Sequence, residues 1–146
     1  MTYSFESVQA TISGPGGTIA LGDGSGSAKE GITVEFVEDK NNMLMGADGS
    51  GVHSLRMSNA ARITIRLLKT SPINAALSAQ YNYQRQSAIF WGQNVVTVTD
   101  LARGDDYLAS EVAYQRHPAV TWAEDANFNE WAFDAIHCDP VLGVGF

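Results

Sequence analysis

The sequence predicts a mainly β fold, a two-sheet β-sandwich or partly closed barrel of about nine short strands, with one α-helix on its flank over about residues 72–85. Three observations carry this. Apolar and polar residues alternate with a period of two through most of the chain, clusters of Gly, Asp, Asn and Pro interrupt the alternation, and a single mid-chain stretch free of Gly and Pro follows helical spacing instead.

In chain order, Val8, Ala10 and Ile12 alternate with Gln9, Thr11 and Ser13 until "SGPGG" turns the chain into a short return strand at Ile19 and Leu21. The run "GDGSGS" at 22–27 reads as a loop. Ile32, Val34 and Phe36 then share one strand face, with Thr33 and Glu35 on the other. Met43 and Met45, then Val52 and Leu55, predict two short strands about the turn "GADGSG", where Asp48-Gly49 is a strong hairpin signal. "RITIRLLK" is the clearest strand, with Ile63, Ile65 and Leu67 opposite Arg62, Thr64 and Arg66.

At "TSP", Ser71 is placed to cap a helix and Pro72 to occupy its first position, where a missing N–H costs nothing. Ile73, Ala76, Leu77, Gln80, Tyr81 and Gln84 continue at helical spacing. "NVVTVTD" and "YLASEVAYQR", joined by "LARGDD", predict a hairpin that ends at Pro118. Two further strands are expected, one holding Val120 and Trp122 and one holding Trp131 and Phe133, with the acidic, Asn-rich "EDANFN" between them and "PVLGVGF" as an extended arm. No repeat or linker divides the chain, so residues 1–146 are expected to form one domain.

Composition narrows function. A chain of 146 residues buries roughly 68–70% of its unfolded surface, enough for one core. No run of about 18 apolar residues is present, so no membrane insertion is expected, and the start lacks a leader pattern, so assembly in a cytoplasm is expected. Cys138 is the sole cysteine and makes no internal disulfide. Sixteen acids against nine bases leave a net charge of -7, a surface that repels nucleic acid.

The chemical motifs fail one by one. Asp39, Asn41, Asn42 and Asp48 resemble a calcium loop, but Met43 and Leu44 stand where an EF-hand needs an oxygen ligand and a Gly. His53, His117 and His137 are scattered, no GxSxG elbow or phosphate-binding Gly loop occurs, and the acids at 105, 106, 111, 124 and 125 sit at turns. No catalytic residue, cofactor or metal is therefore expected. The alternative with most support is a carbohydrate-binding β-sandwich, in which Trp122 and Trp131 would stack on sugars beside Tyr81, Tyr83, Phe90 and Trp91. A small hydrolase using paired carboxylates is more remote.

The ordered segments "YSFESVQATISGPGG", "KEGITVEFVEDKNNMLMGADGSGVHSL", "IRLLKTSPINAALSAQYNYQ", "WGQNVVTVTDLARGD" and "NEWAFDA" resemble the tail tube proteins of contractile-tailed bacteriophages, over residues 3 to about 143. The resemblance implies a non-enzymatic virion subunit, assembled in the bacterial host cytoplasm, with the fold of type VI secretion tube proteins. It implies six copies closing a ring, rings stacking into a tube, genome DNA passing without specific binding, and contacts with sheath and baseplate proteins. Under it Glu35, Asp39, Asp48 and Glu111 are candidate lumen-facing acids, and Met43, Leu44 and Met45 candidate inter-subunit contacts. Arg62 and Arg66 share a polar face, where acids of a neighbouring subunit are candidate partners.

Overall fold

The computed structural model describes residues 3, 4, 7–21 and 27–144; most of the loop expected at 22–27, and the end of the expected C-terminal arm, lie outside them. The described residues form nine strands in two antiparallel sheets and one helix, in no closed barrel. The strands are β1 (Val8–Gly14), β2 (Gly17–Ala20), β3 (Ser27–Phe36), β4 (Asn41–Met45), β5 (Gly51–Leu55) and β6 (Ala61–Leu68), followed by α1 (Ile73–Gln84), β7 (Asn94–Asp100), β8 (Asp105–Arg116) and β9 (Phe128–Val141). Seven strands make the main sheet, in the order β2-β1-β7-β8-β9-β6-β3, and β4 pairs with β5 alone. None of the described helices is long and apolar enough to cross a membrane.

Alternation explains the core. One face of the main sheet contributes Ala10, Ile12, Ile63, Ile65, Leu67, Val96, Val112, Tyr114, Trp131 and Phe133, all buried. The sheet curls so that Ile32 and Val34 of β3 pack against the same cluster as Val98 of β7 and Tyr107 of β8. A cleft of about 250 Å³ remains between these ends, lined also by Val8, Asp100 and Asp105. Among the described residues the curled sheet ends at β2 on one side and β3 on the other.

The helix packs Leu77, Gln80 and Gln84 inward. It starts at Ile73 with Pro72 at the N-cap, one residue later than expected, so Ser71 stands just outside the cap, its hydroxyl accepting from the Ile73 N–H at 3.3 Å. Tyr81 and Tyr114 meet edge to face at 5.6 Å between ring centres, and Tyr114 meets Phe133 at 4.8 Å. Such contacts tie the helix to β8 and β9 beyond simple area burial.

One expected strand does not form. Residues 117–127 are irregular, and Trp122 is 82% exposed. The reason is edge supply. β8 pairs with β9 directly from Asp106–Val141 to Arg116–Ala132, and β9 uses its other edge on β6, so a strand at Val120–Trp122 would find no partner there. The connection is held instead by Lys69, whose N–H donates to the Asn127 carbonyl and whose ammonium lies 5.2 Å from the Trp122 ring centre.

β9 also runs further than the Trp131–Phe133 alternation indicates, because the arm expected from Pro140 continues it to Val141. Pro140 is tolerated since β6 pairs with β9 only as far as Ala135, leaving the missing N–H without a ladder to break. In its pairing with β7, β8 carries a bulge at Glu111, the one described non-glycine residue with positive φ (53°), where the register shifts between Asn94–Val112 and Val96–Ala109.

Candidate assembly surface

β4 and β5 form a two-stranded arm that continues β3 and β6 beyond the main sheet. Leu44 stands opposite Val52, while Met43 opposes His53, and Met45 opposes Gly51. Since successive side chains point to opposite faces, Leu44 and Val52 lie on one face and Met43 and Met45 on the other. All four are more than half exposed, as are Leu55 and Met57 (84%). The arm therefore presents apolar side chains on both faces and packs neither against the core. A lone two-stranded hairpin is marginal in water, and a patch of this kind marks a contact surface.

Both ends of the arm are held. At the tip, the Asp48 carboxylate accepts from the Ser50 hydroxyl at 2.6 Å and from the Ser50 N–H at 3.1 Å. These bonds, the hydroxyl first, keep its carboxyl below the usual carboxylate range. Gly49 follows at φ +89°, a left-handed position that a side chain would strain. At the base, the Arg56 N–H donates to the Lys40 carbonyl at 2.8 Å, and the Lys40 ammonium donates to Asn59 Oδ1 at 2.6 Å. The Asn59 carbonyl accepts from the Cys138 N–H at 3.1 Å, which joins the arm to β9. Beside this joint Val37, Met57, Ala60, Ile136 and His137 line a further cleft of about 420 Å³.

The four acids singled out in the sequence stand on four separate elements: Glu35 on β3, Asp39 in the β3–β4 connection, Asp48 at the arm tip and Glu111 at the bulge. All are exposed. Glu35 lies in register with Arg62, which bonds Asp134 on the next strand at 3.1 Å; Arg66 bonds Glu130 at 3.0 Å. Both arginines thus find these acids within the chain, across β6 and β9. A signal for this pairing was available, since Arg62 and Arg66 are four residues apart, as are Glu130 and Asp134, and an antiparallel register aligns both pairs at once.

The arrangement favours contact over catalysis. Burial raises the Tyr114 hydroxyl well above its ordinary range, while burial and then the neighbouring Asp139 raise the Cys138 thiol, the opposite of what activates a nucleophile. Among the described residues no group of three or more His, Cys, Asp or Glu is placed to hold a metal ion. Trp131 is 1% exposed and donates to Asn74 Oδ1 at 3.0 Å, so it forms no sugar platform with the exposed Trp122.

Residues 1–143 match the profile of a family described as bacteriophage PhiTE tail tube protein. No curated protein matches the chain. Among solved structures, it is similar to the sheath/tube terminator of an extracellular contractile injection system, PVC, in the extended state (11% identity over 97% of each chain, TM-score 0.55). It is also similar to the tube-terminating cap of the anti-feeding prophage (8% identity, 98% of this chain and 94% of that chain, TM-score 0.52). A chain of the PVC sheath-tube complex aligns at 11% identity over 92% of this chain and 88% of that one, with a TM-score of 0.50. These likenesses are of fold.

Proposed function

The chain belongs to the bacteriophage PhiTE tail tube protein family, a structural, non-enzymatic family, and we propose that it is the subunit that closes into rings of six and stacks them into the tube of a contractile tail. Residues 1–146 act as one tail-tube domain in this reading. The observation that carries it is the β4–β5 arm, apolar on both faces and uncovered within the subunit.

Two free sheet edges complete the argument. β2 and β3 end the main sheet, and unpaired edge N–H and C=O groups invite a neighbouring chain. An edge of one kind meeting an edge of the other is a head-to-tail contact, which closes a ring when the rotation permits. The arm, through Met43, Leu44 and Met45, then reaches the adjacent subunit. The lumen carries genome DNA past a wall that includes Glu35, with Asp39, Asp48 and Glu111 as further candidates, and the outside meets sheath and, at the tube end, baseplate. The place of action is the virion tail, after assembly in the host cytoplasm.

Negative-stain microscopy and sedimentation of the purified chain, with chelator present, test this. Rings or tubes are expected without metal. A stable monomer at every concentration would overturn the reading.

A further inference from the structure

The polar side of β3, β6 and β9 carries a repeated arrangement of charge. One row runs Glu35, Arg62, Asp134 across three adjacent strands, acid, base, acid. Four residues along, Arg66 faces Glu130, and its guanidinium also lies 4.2 Å from the Phe128 ring centre. Between these rows stand Thr33, Thr64 and Ala132, small and uncharged. The four ion-pair side chains are 31–51% exposed.

Pairs this exposed add about 0–1 kcal/mol each to folding, so stability alone is a weak reason for their placement. Their effect on a passing polyanion is larger. An arginine grips phosphate through its planar fork of N–H donors, and Arg62 and Arg66 are the arginines that β6 places on this face, with Arg116 of β8 beside Ala132 at its border. Each has a carboxylate already bonded at its fork. A phosphate that took that place would meet the displaced carboxylate at close range. Among the described side chains of these three strands, three acids stand with the two arginines on this face.

We infer that Asp134 and Glu130 withhold Arg62 and Arg66 from phosphate, making this face a surface past which duplex DNA moves without being held. The inference rests on the tube reading for its biological setting, but the device belongs to the single subunit and is measurable there.

The test is Asp134→Asn with Glu130→Gln, which removes the two negative charges bonded to the arginines. Anisotropy of a labelled duplex of about 20 base pairs, titrated with soluble subunit from about 50 to 200 mM salt, should show no binding by the unaltered chain. The double variant should bind, with a log-log salt slope of about -2, since each phosphate contact contributes about 0.9. Adding Arg62→Gln and Arg66→Gln should abolish that binding, and each acid variant alone should give about half the slope. A natively folded double variant that binds no duplex at low salt overturns the inference, as does binding that survives loss of both arginines. Co-pelleting of duplex with assembled tubes is scored separately: absence of tubes from the unaltered chain refutes the tube reading, while the subunit titration still decides the role of the acids.

Discussion

Gln84 of α1 and Asn94 of β7 face each other as a reciprocal amide pair, each donating its NH₂ to the other's carbonyl oxygen, at 2.7 and 2.8 Å. Both residues are fully buried, and Gln84 Nε2 also donates to the Pro15 carbonyl at 2.8 Å. The pair thus joins the helix end, the β1–β2 turn and the start of β7. Gly14 completes the fit, because a Cβ there would collide with Asn94 Oδ1.

Asn94→Ala should lower stability by about 1–3 kcal/mol, the cost of leaving buried amide atoms unpaired. Gly14→Ala should cost a similar amount by pushing the Asn94 amide aside. The two changes break the same contact, so in urea titrations the double variant should lose less than the sum of the singles. Additive losses would show that Gly14 acts elsewhere.

Met45→Asp should leave the subunit folded and prevent assembly. Met45 is more than half exposed and packs no core, so the expected change in stability is within about 0.5 kcal/mol. Circular dichroism and negative-stain microscopy check the two halves. Normal tubes from the variant would remove the arm from the contact surface.

Acid should weaken the β7–β8 turn. The Asp100 carboxylate accepts from the Ser7 hydroxyl at 2.7 Å and from the N–H groups of Ala102 and Arg103, the hydroxyl contributing most to holding its carboxyl below the ordinary value. A lowered folded pKa means stability that is complete above the unfolded value of about 3.9 and is lost as pH falls through the folded value. The difference in thermal midpoint between the unaltered chain and Asp100→Asn should therefore be greatest near neutral pH and shrink below about pH 4. An equal difference at both ends of the range would exclude this role.

Glu111→Gly should be neutral or stabilising by up to about 1 kcal/mol, because left-handed backbone costs a non-glycine residue about 1–2 kcal/mol and glycine returns part of that in unfolded-chain entropy. Glu111→Val should destabilise, β-branching being poorly suited to φ 53°. Matching urea midpoints for the Gly and Val variants would show that the bulge relaxes freely.

Local pattern was enough for much of this architecture. Alternation at 8–12 and 61–68 set which residues of β1 and β6 are buried, Asp48-Gly49 set the arm, and "TSP" set the helix start to within a residue. The failed motif search agrees with membership of a structural family, and exposed methionines were foreseeable from an apolar hairpin too short to cover itself. What period cannot encode is the neighbour. Val120 and Trp122 have strand character, yet β8 and β9 pair directly with each other and β9 carries β6 on its other side, so no strand position lies between them. Gln84 shares the helical spacing of Ile73 and Leu77, but that spacing does not name its partner, Asn94, which packing supplies. Sequence thus determined which face each segment turns inward, since that depends on residues two to four apart; tertiary structure decided which polar groups meet, since that depends on strand order and register between residues tens of positions apart.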